Sequence, residues 1–249
     1  MIKKYLETYE GMKKRLKAYD YAMWVLSWDQ ETETPSGAFD YRTKQIEILT
    51  NDIYALESDK AYLEAIEKLY ENMDALEPNT AIEIKHAYKA MRIIKLVPKK
   101  EYIDYQVLQT QSAFIWQQAK EKDDFDMFAP TLEKIVSYHK KLVKYLATDT
   151  LKGYDVLLDM YEEGYTVKEY DHFFDTLKAE LVPFVMNVTA QRIPVTRKLT
   201  KGFFPKHPQA IFSDYLLDVL HFDRTRGVLK ESVHPFTSND SSTDVRITT

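Results

Sequence analysis

Side chains that could ligate a metal or act as nucleophiles are sparse in this sequence. There are six histidines, His86, His139, His172, His207, His221 and His234, and no cysteine. No two histidines stand four residues apart. The helical His-Glu-x-x-His arrangement, which sets two imidazoles on one helix face around zinc, is therefore absent from these residues. The lack of cysteine excludes disulfides, thiolate metal sites and a thiol nucleophile. Neither a Gly-x-Ser-x-Gly elbow nor a Gly-rich phosphate loop occurs. Carboxylate pairs such as Asp123-Asp124 and Glu162-Glu163 are present. In a chain with 39 acidic residues they read as solvated surface rather than acid/base machinery. Local chemistry thus predicts no catalytic residue and no metal ligand.

The elements that would position any site are easier to read. The 249 residues suffice for one large domain or two small ones. The 45% apolar and 29% charged fractions are those of an ordinary soluble protein, and a net charge of −5 offers no basic surface for nucleic acid. Met1 to Arg15 intersperse Lys and Glu among apolar positions, unlike a signal peptide. No apolar run approaches the roughly 20 residues that span a bilayer. The expectation is a cytoplasmic protein with no membrane partner. Only six glycines, with abundant Lys, Glu, Leu and Ala, favour helices joined by short turns.

Ile2, Tyr5, Tyr9, Met12, Leu16, Tyr19, Met23 and Leu26 recur at steps of three and four and line one seam of a first helix. Thr34 and Pro35 predict the cap and first residue of a second, running to about Leu56. Further helices are expected over Ser58–Met73, Asn79–Leu96, around Tyr102–Ala119 and over Pro130–Ala147. After Thr150 the pattern changes. Thr166-x-x-Glu169 is a capping box that predicts a helix from Val167 to about Thr189, with Pro183 kinking it. Another helix is expected over Pro208–His221. Short β-favouring pieces occur at Val195–Leu199, Val228–Phe236 and Val245–Thr249, with Ser238–Thr243 a polar loop. The fold class predicted is mainly α, an antiparallel helical array with a small antiparallel sheet near the end. Residues 1–150 form a helical region and 151–249 the helices plus sheet.

Four stretches carry a resemblance. Leu26-Ser27-Trp28-Asp29-Gln30-Glu31-Thr32 with Pro35-Ser36-Gly37-Ala38, and Gly153-Tyr154-Asp155-Val156-Leu157-Leu158-Asp159-Met160-Tyr161-Glu162, are two. His234-Pro235-Phe236 and Asp244-Val245-Arg246-Ile247-Thr248 complete the set. In this order they resemble the carboxypeptidase Taq family of zinc metallocarboxypeptidases. The resemblance implies a mostly helical fold with a small sheet beside a substrate groove, release of single residues from the carboxyl end of peptides, and a tendency to homodimers. It also implies a zinc ion held by a His-Glu-x-x-His helix and a downstream Glu, with the motif Glu as general base. In the family that helix follows the Asp-x-Arg-x-Thr motif, one residue short of the last position here. The zinc cofactor is expected of the full-length family and none of this chain, which is expected to be inactive alone. A non-catalytic helical module that binds peptides or proteins, or one half of a split peptidase, are the alternatives.

The resemblance implies candidate roles. His234, Pro235 and Phe236 lie where a strand would border the groove and hydrogen-bond a peptide backbone; His234 could equally hydrogen-bond within the sheet. Pro235 suits an edge, since it cannot donate to an interior ladder. Arg246 could take a substrate carboxylate but reads first as the partner of an acidic residue such as Asp244. Trp28, Asp29, Thr32, Tyr154, Asp155, Asp159, Asp244 and Thr248 read as structural. An apolar face left exposed, where the family's remaining half would pack, favours self-association.

Overall fold

The computed structural model describes residues 1–191 and 201–249. As the sequence predicts, it is mainly helical. Six helices open the chain: α1 (Ile2–Thr32), α2 (Phe39–Glu57), α3 (Lys60–Tyr70), α4 (Pro78–Leu96), α5 (Lys99–Lys122) and α6 (Phe125–Leu146). After them come the single turn α7 (Asp155–Leu158), α8 (Val167–Ala190), α9 (Lys206–Val219) and strands β1 (Gly227–Lys230), β2 (Thr237–Ser241) and β3 (Asp244–Thr248). The described residues fall into two compact units, Met1–Leu157 and Leu158–Thr249.

The first unit has a true core. The seam of α1 packs through Tyr9 onto Ala65, Ile66 and Leu69 of α3 and Ile84 and Met91 of α4. Leu69 and Ile84 are fully buried, and each such side chain removed from water contributes about 1.5–3 kcal/mol. The seam ends in a polar triad. The Tyr9 hydroxyl donates to Glu83 Oε1 at 2.6 Å, and Lys13 Nζ lies 2.6 Å from the same oxygen. Burial pushes the Glu83 carboxyl up, but the hydrogen bonds from Lys13 and Tyr9 outweigh it and hold the group below its ordinary range. A second cluster joins Val97, Leu142, Leu146 and Val156, with Tyr105 stacked on Tyr138 at 3.7 Å nearby.

Two helix starts differ from expectation. Thr34 does not cap α2: its hydroxyl donates to Asp29 Oδ2 at 2.6 Å, and a 3₁₀ turn at Ser36–Ala38 separates Pro35 from Phe39. The sixth helix begins at Phe125 rather than Pro130, because Asp124 Oδ1 accepts from the Met127 amide at 3.1 Å and supplies an earlier cap. Asp123 before it takes the left-handed conformation, φ 52°, that ends α5. The capping box at Thr166 and Glu169 forms as predicted, and α8 continues through Pro183 to Ala190.

The second unit holds the sheet, in the order β1-β3-β2. It is mixed, which corrects the expectation of an antiparallel sheet. β2 and β3 form an antiparallel hairpin, whereas β1 runs parallel to β3 from Gly227↔Val245 to Lys230↔Thr248. The reason is connectivity: residues 231–236 and β2 carry the chain back across the sheet, so β3 returns in the direction of β1. Two boundaries also change. β1 ends at Lys230, short of the motif at 234–236, and the polar segment expected as a loop is largely β2. The hairpin turn is closed by Ser241, whose Oγ accepts from the Thr243 amide at 3.2 Å. Gly227 lets the Phe222 ring lie against the backbone where a Cβ would overlap it. The piece expected at Val195–Leu199 lies outside the described residues.

Candidate functional site

In the second unit the two late motifs meet on one sheet. Thr248, at the end of the central strand, is the sole buried residue among those described in this unit. Its Oγ1 accepts from the Phe236 amide at 2.8 Å, and the Thr248 amide donates to the Phe236 carbonyl at 2.8 Å. Ser232 Oγ donates to the His234 carbonyl at 2.8 Å and lies 2.7 Å from Thr248 Oγ1. The backbone of His234-Pro235-Phe236 is thus held from both sides, by a serine two residues upstream and a threonine across the ladder. His234 and Pro235 themselves are exposed, on the segment that leads into the edge strand β2.

On β3 the Arg246 guanidinium forks onto Asp244. Nε donates to Oδ1 and Nη2 to Oδ2, both at 3.0 Å, with both side chains largely shielded from water. Bidentate pairing of this kind fixes orientation as well as charge. With its fork on Asp244, Arg246 spans a two-residue step on one strand and stiffens the segment that precedes Thr248.

A groove of about 820 Å³ lies on the other edge of the sheet, between β1 and α9. It is lined by Gln209, Ser213, Leu229 and Glu231 among others, and by neither His234 nor Arg246. Its charges are internally matched: Lys206 lies 2.8 Å from Glu231, and Arg224 lies 3.0 Å from Asp214.

The early motif builds a separate structure in the first unit. Trp28 is buried, and the Thr32 hydroxyl donates to its carbonyl at 2.8 Å. Asp29 accepts from Arg42 Nη1 at 2.8 Å and from the Thr34 hydroxyl, while Arg42 Nη2 reaches the Leu26 carbonyl. One carboxylate therefore ties the end of α1 to α2. Beside it is a pocket of about 200 Å³ bounded by Gln30, Ser36, Gln117 and the Phe39–Phe114 stack, ring centroids 4.1 Å apart. In the remaining motif Tyr154 is exposed and Asp155 opens α7; Asp159 Oδ1 accepts from the Gly164 amide at 2.9 Å and closes the turn before α8.

Sequence reasoning missed Ser232, Thr34 and Arg42. Thr34 adjoins the early motif, and its sequence context predicts a cap rather than a bond to Asp29. Ser232 and Arg42 carried no signal at all, because their roles depend on pairing across a strand and between helices.

Among the described residues no group of three or more His, Cys, Asp or Glu side chains could hold a metal ion. The imidazoles are dispersed: His139, for example, is engaged on α6 through Nε2, 2.9 Å from the Tyr105 hydroxyl. The described residues do not fit a zinc site of three ligands.

Comparison with known proteins decides the family. The model of the Carboxypeptidase Taq (M32) metallopeptidase family matches residues 8–249. The chain belongs to the carboxypeptidase Taq (M32) family. It is similar to carboxypeptidase 1 of Bacillus subtilis (strain 168), 35% identical over 98% of this chain and 49% of that protein. Thermostable carboxypeptidase 1 of Pyrococcus furiosus is 28% identical over 95% of this chain and 47% of that protein. Among solved structures, the BsuCP crystal structure superposes with a TM-score of 0.89 at 35% identity, covering 99% of this chain and 49% of that one. Trypanosoma cruzi metallocarboxypeptidase 1 gives 0.78 at 26% identity, covering 100% of this chain and 50% of that one. This M32 chain spans about half the length of the curated relatives it matches. Among the described residues no helix is long and apolar enough to cross a membrane.

Proposed function

We propose that this M32 chain carries part of the substrate groove of a metal-dependent carboxypeptidase that releases single residues from the carboxyl end of peptides. The observation that supports this reading is the sheet motif. His234-Pro235-Phe236 is clamped by Ser232 and Thr248 and runs into an edge strand. An extended peptide adds to such an edge through main-chain hydrogen bonds, and a rigid edge loses less entropy when it binds. His234 and Phe236 flank the entry of the edge, Pro235 keeps an amide donor out of it, and Arg246 with Asp244 stiffens the strand behind. Trp28, Asp29, Thr32, Tyr154, Asp155 and Asp159 serve the scaffold.

Hydrolysis would require a zinc ion and a general base that the 249 residues do not provide as His-Glu-x-x-His. This chain alone therefore binds without turnover. The test is to add zinc or cobalt to the purified chain with a blocked dipeptide and follow release of the terminal residue. Metal-dependent release defeats the assignment of inactivity. Calorimetry with a mixed peptide pool tests the binding half: affinity lost in Thr248→Val supports it, and no affinity in the wild type removes it.

A further inference from the structure

Tyrosines of α2, α5 and α6 form a run of rings in the first unit that the sheet motif does not use. Tyr54 of α2 lies 5.3 Å from Tyr102 of α5, centroid to centroid. Tyr105 follows Tyr102 by three residues on the same helix, a spacing that sets both on one face. Its ring lies on that of Tyr138 of α6, with centroids 3.7 Å apart and planes 4° from parallel. The Tyr105 hydroxyl is also 2.9 Å from Nε2 of His139, whose ring stands edge-on to it at 79°. His139 Nδ1 is buried and has no hydrogen-bond partner among the described residues. Among those residues the phenol is therefore the group that the imidazole engages.

This pair differs in its acceptor from three other hydrogen-bonded phenols of the first unit. Tyr9, Tyr102 and Tyr145 donate to carboxylates, those of Glu83 at 2.6 Å, Glu57 at 3.4 Å and Glu101 at 3.1 Å. Imidazole is a stronger base than a carboxylate. The Glu83 carboxyl lies below its ordinary range and is weaker still as a base. A phenol gives up an electron far more readily when a base takes its proton in the same step, and 2.9 Å is within reach for that transfer. A parallel ring in contact then shares the electron deficiency. The chain has no cysteine, so no thiol competes for the oxidising equivalent.

We propose that the Tyr105–His139 pair is a redox site, at which a one-electron oxidation of this chain settles. The oxidant takes one electron from the phenol and is itself reduced. In the same step the Tyr105 O–H bond breaks and an N–H bond forms at Nε2 of His139. A neutral phenoxyl radical is left beside an imidazolium. One electron from a reductant such as ascorbate returns the same proton to the oxygen. The step needs the tautomer with its proton on Nδ1, in which the hydroxyl donates and Nε2 accepts. Tyr54 and Tyr102 lead into the pair, and Tyr138 shares the vacancy. Neither a metal nor the sheet motif takes part, so the site is independent of the proposed peptidase role.

The experiment oxidises the purified chain by flash photolysis of ruthenium tris-bipyridine with persulfate, and electron paramagnetic resonance reads the product. Wild type is expected to give a tyrosyl spectrum that narrows when the tyrosines are ring-deuterated. Tyr105→Phe keeps the stacked ring, removes the hydroxyl and is expected to lose most of the signal. His139→Gln is expected to slow phenoxyl formation about tenfold or more, since the proton acceptor is gone. Tyr9→Phe, which removes a carboxylate-bonded phenol, is expected to leave yield and rate unchanged. On wild type alone, a nitroso spin trap followed by peptide mass spectrometry is expected to place the adduct on Tyr105 or Tyr138. A full signal in Tyr105→Phe, a wild-type rate in His139→Gln, or adducts scattered over other tyrosines and the tryptophans would each overturn the proposal. So would nitrogen NMR that finds the proton on Nε2 in the resting chain. Circular dichroism checks the fold of each variant; if one unfolds, the two wild-type measurements decide.

Discussion

The two units are organised in opposite ways. In Met1–Leu157 the apolar residues face one another: Leu69 and Ile84 are wholly enclosed, and Tyr9 and Tyr62 stack at 5.8 Å. In Leu158–Thr249 the apolar residues of α8 and α9 face outward, and order comes from hydrogen bonds that converge on Thr248. The first unit is held by the transfer of hydrocarbon out of water, and the second, within the described residues, by capping, a hairpin and a clamp. Helical periodicity alone does not distinguish them. α1 and α8 both carry a four-three stripe, and only α1 finds its partner within these residues.

The three tryptophans, Trp24, Trp28 and Trp116, all lie in the first unit, so indole fluorescence reports on that unit alone. The largest effect that would sharpen the contrast is Leu69→Ala. Truncating an enclosed leucine is expected to cost about 2–5 kcal/mol, read from urea unfolding followed by tryptophan emission. A cost under about 1 kcal/mol would mean the first core is no tighter than the second unit.

Thr248→Val comes next and attacks the other mode of stabilisation. It leaves the Phe236 amide without its acceptor, at a cost of about 1–3 kcal/mol. Faster amide exchange at Phe236 and in β3, with tryptophan emission unchanged, is the expected signature. Unchanged exchange would break the clamp argument.

The third is electrostatic and confined to the first unit. Burial raises the Glu57 carboxyl above its ordinary range; the Tyr102 hydroxyl, 3.4 Å away, lowers it and Asp20 adds to the rise. A raised folded-state carboxyl binds its proton more tightly than the unfolded chain does. Stability from this group is therefore greatest below the ordinary glutamate range and declines as pH rises through the folded value. Glu57→Gln is expected to raise the melting temperature at pH 7 and to make no difference near pH 3. Equal gains at both values would refute the burial account. Glu83 has the opposite sign: its lowered carboxyl contributes above the ordinary range and loses that contribution in acid.

The smallest expected effect is Phe184→Ala. In the isolated chain this 63% exposed side chain has little to lose, so stability should stay within about 0.5 kcal/mol by circular dichroism. The larger truncation, at Phe184, then costs less than the smaller one at Leu69, which is the contrast in a single experiment.

What could be read from the sequence follows the same divide. Helix positions in the first unit were legible because a core-facing stripe repeats within a few residues, and the capping box at Thr166 is a local pattern too. The 3₁₀ turn after Pro35 was not, since it depends on Thr34 turning to Asp29 rather than to its own helix. β2 was hidden because Thr237-Ser238-Asn239-Asp240-Ser241 contains no apolar alternation. The parallel partner of β3 was hidden because pairing across an intervening strand leaves no short-range mark. For the site, the sequence pointed to Asp244 as the partner of Arg246, and the two pair through both carboxylate oxygens. That Thr248 and Ser232 together hold the His234-Pro235-Phe236 backbone is visible only from the ladder register.

The chemistry of β2 bears on contacts between like sheet edges. A row of hydroxyl, amide and carboxylate side chains along this edge strand carries its own shell of water and offers no greasy surface on which a like strand could stack. Two copies meeting rim to rim would have to strip that hydration with little hydrocarbon contact in return. That edge can thus leave its main-chain groups open without becoming a seed for fibres.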